Sequence, residues 1–479
     1  MSDVRASSNE KLGEIEVRSI DYVPEDERHG RVRDQFTLWF SATLTILGIL
    51  LGAIAVEIVG NFFWGVLAWA IGTVLGLLLV GFHAIQGPRL GVPQMIQSRA
   101  QFGFYGALFV LVASVVLDFG YLAAQMIVQA QSMNVMISSV SVPVWIVIVA
   151  IPVAFLALYG YDWVHRWQRW MFLILVATFI VVIIQTAIYG SSHHFPASMG
   201  GYHLASFPLF MTVVALAATN MLSWAPYVSD YSRYLPKNVR AAGPFWAVML
   251  GNAVPTIFLG ILGGYIGSLL PIAGSNVPVA VKAICGIWIL PIMAISLIGS
   301  DVLNVYTGML AIATIASCFR DVRDKISTRV VGCGLLLVAG VLAALFGSTS
   351  FVPKVEEFLA VLLVVFIPWS AINLADFYIV RHGDYDVPSF FTPNGAYPGF
   401  IWRGLIPYII AVAAEVPFIS QEFYTGPLVS SLGGVDISWI VGGVVAFVLY
   451  LVAVRIAPPT PAGVGLHQRA TLGPAGAAD

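Results

Sequence analysis

Residues 206–236, SFPLFMTVVALAATNMLSWAPYVSDYSRYLP, form the most informative stretch of this chain, because its character changes halfway along. Residues 207–218 are almost wholly apolar, as in a helix that enters a membrane. Asn220, Ser223 and Trp224 then bring polar and aromatic side chains into the middle. An unpaired polar group in hydrocarbon costs several kcal/mol, so a lipid-facing helix gains nothing from such a middle. The pattern predicts a helix that breaks beside a binding cavity.

The composition of the rest of the chain is that of an integral membrane protein. Of its 479 residues, 59% are hydrophobic and 10% are charged, whereas soluble domains carry about 25% charged residues. The lipid bilayer is therefore an expected partner, and the lack of a basic cluster argues against nucleic acid. The three cysteines share no metal-ligand or disulfide spacing, so we expect neither a metal site nor a bound cofactor.

Apolar runs of about 20 residues, the length that crosses a bilayer, predict an all-α protein with twelve spans. Their expected limits are 35–58, 62–84, 104–136, 143–160, 167–189, 207–231, 244–269, 283–317, 329–346, 356–380, 402–420 and 437–455. We expect the transmembrane domain to cover residues 35–455, with spans 1–5 in about 35–189, spans 6–10 in about 207–380 and spans 11 and 12 in about 402–455. The N-terminal segment 1–34 and the tail 456–479 should lie outside the membrane.

The distribution of basic residues predicts the orientation. Of the 23 Lys and Arg residues, all but Lys282 and Lys354 fall in segments on the same side as the N-terminus. Basic residues accumulate in cytoplasmic loops. Both termini are therefore expected in the cytosol, and the chain is expected in the plasma membrane as a multi-pass protein.

Spans 1 and 6 are the first members of two groups of five, and both carry helix breakers. Span 1 contains Ser41, Thr43 and Gly48 in an otherwise apolar run, and span 6 contains Asn220 and Pro226. Such positions fit an inverted repeat whose paired first helices unwind near the midplane around a ligand. The alternative is that Gly and Pro are simply commoner in membrane helices.

Acidic residues inside predicted spans include Glu57, Asp118, Asp301 and Glu415, and charges in a membrane are rare and usually functional. Asp118 and Asp301 fall near mid-membrane, whereas Glu57 and Glu415 fall nearer the ends of their helices and are expected at the rim. Two explanations remain open for the polar residues around the first pair: a site for a small flat polar ring, or hydrogen bonds that merely join helices.

Helical spacing places polar side chains on shared faces. Asp118, Tyr121 and Gln125 on span 3 are separated by three and four residues and share one face. Ser300 and Asn304 share a face of span 8. Together with the polar middle of span 6, these faces favour the binding site over the purely structural explanation.

Four segments carry a family resemblance: VPEDERHGRVRDQFTLWFSA at 23–42, GVPQMIQSRAQFGFYG at 91–106, SWAPYVSDYSRYLP at 223–236 and LNVYTG at 303–308. In them the chain resembles the nucleobase:cation symporter-1 family, in particular its purine–cytosine permease branch. The resemblance implies the leucine transporter-type fold, with five plus five inverted helices followed by two more. It also implies uptake of a nucleobase or related heterocycle, driven by Na⁺ or H⁺.

The resemblance also assigns roles to residues. The ring-stacking aromatic falls at Tyr121, where Trp is usual, and Met221 stands where an aromatic often sits. Sodium-coupled members use paired hydroxyls on span 8, and the matching pair here is Gly299 and Ser300, so one hydroxyl is missing. The candidate substrate-binding residues are Ser41, Thr43, Asp118, Tyr121, Gln125, Asn220, Met221, Ser223, Trp224, Asp301 and Asn304.

These observations predict a cation-coupled symporter for a nucleobase such as cytosine or a purine. Asp118, Asp301 and Ser300 are the candidate coupling residues, and two mid-membrane acids favour H⁺ over Na⁺ as the co-transported ion. The alternatives are Na⁺-coupled uptake of allantoin, hydantoin or a vitamin-like heterocycle, and a non-transporting sensor of the same fold. An enzyme is not expected, since no HExxH or GxSxG motif occurs. The short central loop argues against the major facilitator architecture.

Overall fold

The computed structural model describes residues 19–193, 196, 199–320, 322, 326–348, 351–393, 395–421 and 424–459. Within these ranges the chain forms seventeen α-helices: α1 Val32–Thr43, α2 Ile46–Val59, α3 Phe62–Ala84, α4 Gln86–Leu90, α5 Arg99–Phe102, α6 Leu108–Met136, α7 Val142–Tyr159, α8 Tyr161–Ser192, α9 Phe207–Leu222, α10 Val228–Ser232, α11 Ala242–Leu269, α12 Val277–Cys285, α13 Leu290–Ala316, α14 Ile326–Gly347, α15 Phe351–Ala375, α16 Trp402–Glu415 and α17 Ser438–Ile456. Strands β1 Ser420–Gln421 and β2 Tyr424–Thr425 form a small antiparallel hairpin.

The helices form twelve membrane spans, which confirms the predicted fold class. Nine helices of the described chain are long and apolar enough to cross a bilayer, and α1 with α2 makes a tenth span that is bent by 62°. The shorter α9 with α10 is span 6, and α16, which packs against α17, is span 11. Helix α1 begins at the end of the bundle that also carries Arg233 and Lys237. We call this end the basic end.

Span 1 breaks where the sequence predicted. Helix α1 ends at Thr43, and α2 begins at Ile46 after two residues with extended or irregular backbone. Helix α2 packs closely on α11 at Gly52. A Cβ added to Gly52 would lie only 2.7 Å from the Leu259 carbonyl oxygen, so the two backbones are in contact there. Gly48 and Gly52 therefore allow close packing of α2 on α11 and do not break the helix. The break of span 1 falls at residues 44 and 45.

Span 6 also breaks where its sequence turns polar. Helix α9 begins at Phe207, where the Ser206 side chain accepts a hydrogen bond from the Leu209 N–H, and it ends at Leu222. Pro226 lacks an N–H and its ring clashes with the preceding turn, so the helix does not continue. Helix α10 starts at Val228 and leads to the basic end.

Several predicted boundaries differ from the observed ones, and three of the differences have a local reason. The span predicted at 283–317 is divided at Gly286, whose φ of +85° separates α12 from α13. Span 3 starts at Leu108 rather than 104, because the Phe104 N–H donates to the Pro398 carbonyl outside the helix. Span 5 starts at Tyr161, six residues earlier than expected, since α8 continues through its first polar turn.

Candidate substrate site

A cavity with about 490 Å³ of empty space lies where the breaks of spans 1 and 6 face spans 2, 3, 7 and 8. Eight of the eleven candidate substrate-binding residues line this cavity, and so does the candidate coupling residue Ser300. The eight are Thr43, Tyr121, Gln125, Asn220, Met221, Ser223, Trp224 and Asn304. The two broken spans and the polar faces of spans 3 and 8 therefore converge on one place.

Polar side chains of α6 and α13 form the floor of this cavity. The Gln125 Nε2 donates to Ser300 Oγ at 2.9 Å, and the Asn304 Nδ2 donates to Gln125 Oε1 at 3.3 Å. The remaining acceptor, Asn304 Oδ1, is buried and has no partner among the described residues. A buried acceptor without a partner costs about 1–3 kcal/mol, and a ligand N–H would remove that cost.

Aromatic rings form the side walls. The Tyr121 hydroxyl donates to Asn220 Oδ1 at 3.4 Å, and its ring meets Phe358 edge-on with centroids 5.6 Å apart. Trp224 packs against Tyr227 at 5.5 Å, and its indole N–H finds no acceptor in the described part of the chain. The cavity thus pairs flat apolar faces with one unused donor and one unused acceptor.

Asp118 and Asp301 do not line the cavity, which corrects their expected placement. Both lie in the interface between α6 and α13 and are fully buried. Asp118 accepts a hydrogen bond from Thr307 at 2.9 Å, and the Gln129 side chain donates to Asp301. The Asp118 carboxyl therefore contacts α13 and the Asp301 carboxyl contacts α6, and neither reaches the helix breaks.

Ser41 also lies outside the cavity wall. Its hydroxyl donates to Gln168 Oε1 at 2.6 Å, so it faces α8 rather than the break of span 1. Gln168 itself is 1% exposed and lies against Gly299, where an added Cβ would be 2.5 Å from Nε2. At Gly299, where the family resemblance implies that a hydroxyl is missing, the buried amide of Gln168 occupies the adjacent space.

Sequence reasoning missed several wall residues, among them Thr45, Trp69, Tyr227 and Thr256. Tyr227 follows Pro226 in the break of span 6, so the signal that marked Trp224 could have found it. Trp69 reaches the cavity by donating from Nε1 to the Thr256 carbonyl at 3.0 Å. That contact depends on the pairing of α3 with α11, which one sequence does not reveal.

The described part of the wall carries no formal charge. None of the described residues that line the cavity is Asp, Glu, Lys, Arg or His. A charged ligand would lose its hydration here without a countercharge, which is costly in a low-dielectric interior. The geometry therefore suits a flat, neutral ring that offers both a hydrogen-bond donor and an acceptor at its edge.

A solved structure shares this architecture over nearly the whole chain. The transporter Mhp1, in a closed conformation with bromovinylhydantoin bound, superposes with a TM-score of 0.75 and covers 91% of this chain and 95% of its own. Its sequence is 18% identical, so the likeness concerns the fold. It confirms the leucine transporter-type arrangement of two five-helix halves followed by two helices.

Two relatives match most of the chain. The Bacillus subtilis protein YxlA, whose name provisionally describes it as a purine-cytosine permease, is 34% identical over 446 residues, covering 92% of this chain and 96% of its own length. The purine-cytosine permease fcyB of Emericella nidulans is 25% identical over 456 residues, covering 91% and 88%.

The family profile described as permease for cytosine/purines, uracil, thiamine and allantoin matches residues 22–442. The match spans every membrane helix that lines the cavity. Members are membrane permeases rather than enzymes, as predicted. The chain belongs to this family, the nucleobase:cation symporter-1 family, in its purine–cytosine permease branch.

Proposed function

We propose that this permease carries a neutral nucleobase, such as cytosine or a purine, across the cell membrane together with a proton. The observation that carries the proposal is the uncharged cavity at the two helix breaks, with its unused indole N–H at Trp224 and unused amide oxygen at Asn304. A nucleobase edge supplies both matching groups, and its ring can stack between Tyr121 and the other aromatics.

The absence of charge in the wall narrows the choice within the family. A cationic heterocycle such as thiamine would enter a cavity whose lining residues include no acid. Neutral rings avoid that desolvation cost. Allantoin and hydantoin are neutral too, and they remain the alternative substrates because they also present an N–H beside a carbonyl.

The contacts of Gln168 favour H⁺ over Na⁺. In sodium-coupled members the resemblance implies oxygen ligands from spans 1 and 8, whereas here an amide N–H group lies against Gly299 and its oxygen is bonded to Ser41. An amide N–H is a donor and does not bind a cation. Asp118 and Asp301 meanwhile offer buried carboxyls with no Lys or Arg partner among the described residues.

The proposed orientation follows from the positive-inside rule. The basic end would face the cytosol, with the N-terminal segment and the tail on that side. The opposite end would then face the exterior, and uptake would run from the hairpin of β1 and β2 toward α10.

Purified protein in sealed liposomes tests the function. We expect labelled cytosine or adenine to accumulate when an inward proton gradient is imposed, in sodium-free buffer, and accumulation to collapse with a protonophore. Accumulation that requires Na⁺ and ignores the proton gradient would overturn the choice of ion.

A thermal-shift screen of the same preparation separates transport from sensing. A ligand that binds the folded state raises the unfolding midpoint according to its concentration relative to Kd. Stabilisation by a nucleobase without any uptake or exchange in liposomes would identify a sensor. Stabilisation by thiamine but by no neutral ring would contradict the proposed substrate class.

A further inference from the structure

Three polar pairs join α6 and α13 in a ladder that passes the cavity. The pairs are Asp118 with Thr307, Gln125 with Asn304, and Gln129 with Asp301. The two helices run antiparallel, so the first pair lies toward the basic end and the last toward the opposite end. The cavity thus contacts the middle pair, and one buried acid lies on either side of it.

On the basic side, Thr307, the hydrogen-bond partner of Asp118, lines a second cavity. A narrow crevice is lined by Ser114, Tyr227, Asp230, Thr307 and Thr314 together with apolar side chains. Tyr227 also lines the substrate cavity, so this residue borders both spaces. In this conformation the crevice has no room for a water molecule. No residue of the pair Gln129 and Asp301 lines any of these spaces.

The hydrogen bonds at Asp118 fit a group that carries a proton in this conformation. The single hydroxyl hydrogen of Thr307 has three acceptors within reach: Asp118 Oδ1 at 2.9 Å, the Leu303 carbonyl at 2.9 Å and the Asn304 carbonyl at 3.2 Å. Asp118 Oδ2 has no partner among the described residues. When Asp118 is protonated it can donate to Thr307, which then donates to its own helix; when it is ionised, the hydroxyl turns to the carboxylate.

The charged groups around the crevice are few. Asp230 lines the crevice, and it accepts the Gln94 N–H at 2.8 Å. Arg233 lies close enough to Asp230 to interact with its charge. Tyr227 lines the crevice with Asp230. The route from Asp118 to the basic end therefore passes one tyrosine and one further carboxyl.

We propose, on the basis of the transport function above, that Asp118 is the acid that releases the coupled proton toward the basic end, through Thr307 and this crevice. When α10 moves away from α13, water enters the crevice and accepts the proton from Asp118, which becomes a carboxylate held by the Thr307 hydroxyl. The proton then leaves past Asp230. Asp301, enclosed by Gln129, takes no part in this release.

The test separates net transport from exchange. In liposomes, exchange of labelled for unlabelled cytosine needs no net proton release, whereas gradient-driven accumulation does. We expect Thr307→Val to lower the rate of accumulation by about a hundredfold or more, since a positioned proton-transfer group contributes on that order, and to leave exchange within about twofold of wild type. Thr307→Ser, which keeps the hydroxyl, should restore accumulation. Asp118→Asn should abolish accumulation and retain exchange.

Thr178→Val is the matched control. Thr178 on α8 makes the same hydrogen bond to a carbonyl four residues earlier, at 2.8 Å, but lies away from the crevice. Accumulation by Thr307→Val at the wild-type rate, or loss of exchange together with accumulation in Asp118→Asn, would overturn the proposal. Absence of both activities in the wild type would instead overturn the transport function.

Discussion

Asn304 illustrates how one side chain can serve the helix interface and the cavity at once. Its amide nitrogen is held by Gln125, while its oxygen has no partner in the described chain. The spacing of polar residues on spans 3 and 8 predicted that both would face a shared space, and both line the cavity. The same reasoning placed Asp118 and Asp301 in the cavity, which they do not line. Helical periodicity predicts which residues share a face of one helix, but it does not predict which neighbouring helix that face contacts.

Removing the amide of Asn304 should weaken substrate binding without unfolding the protein. We expect Asn304→Ala to raise the Kd for cytosine by about tenfold, which corresponds to about 1.4 kcal/mol and to the loss of one hydrogen bond. Isothermal titration measures the change. Asn134→Ala is the control, since Asn134 bonds to the Val140 carbonyl near the far end of α6; equal losses in the two variants would contradict a ligand contact.

Gly299 gives a second prediction about a single position. A serine there would bring its Cβ to 2.5 Å from Gln168 Nε2, so Gly299→Ser should lower stability by about 1–3 kcal/mol through overpacking. Shortening the neighbour in Gly299→Ser/Gln168→Ala should recover part of the loss, as measured by thermal unfolding.

The control for this pair lies on α14. An added Cβ at Gly334 meets nothing within 4 Å, so Gly334→Ser should leave the unfolding midpoint nearly unchanged. A Gly299→Ser protein as stable as wild type would contradict the predicted overpacking and show that the Gln168 amide shifts at little cost.

Helices α3 and α9 are packed closely against each other. A Cβ at Gly72 would collide with the Val214 carbonyl, and one at Gly76 with the Ala218 carbonyl. The backbones therefore touch without side chains between them, immediately before the break at Leu222. Hydropathy predicted both spans, but the pairing of the second with the sixth depends on contacts between residues far apart in sequence.

We expect Gly76→Val to displace the first half of span 6 and to reduce both stability and ligand binding. The collision involves backbone, which cannot rotate away as a flexible side chain would. Thermal unfolding with and without cytosine measures both effects. Gly334→Val serves as the matched change on an open helix face, and a Gly76→Val protein with wild-type binding would contradict the tight packing.

The general architecture of the molecule was the most predictable part. Apolar run length gave the twelve spans, and the polar interruptions of spans 1 and 6 gave the two breaks that form the cavity. What the sequence did not reveal were the contacts across helices: Trp69 on Thr256, Gln168 on Ser41, and Tyr227 between two cavities. These contacts depend on the three-dimensional pairing of spans.

The orientation of the whole molecule can be measured with introduced cysteines. The three native cysteines are buried, so they should not react with a membrane-impermeant maleimide. Tyr202 at the end opposite the basic end is 78% exposed, and Lys237 at the basic end is exposed too. In intact cells we expect Tyr202→Cys to be labelled and Lys237→Cys to stay unlabelled until the membrane is permeabilised. The reverse pattern would invert the proposed topology.

The buried amide of Gln168 has a consequence for how spans 1, 5 and 8 are held together. A diffusing ion occupies a site according to its concentration relative to Kd, so a helix contact made by a bound ion weakens as that ion becomes scarce. A side chain attached to α8 is always present, and Gln168 is bonded to Ser41 without an ion. This contact between spans 1, 5 and 8 therefore needs no ion to hold it together.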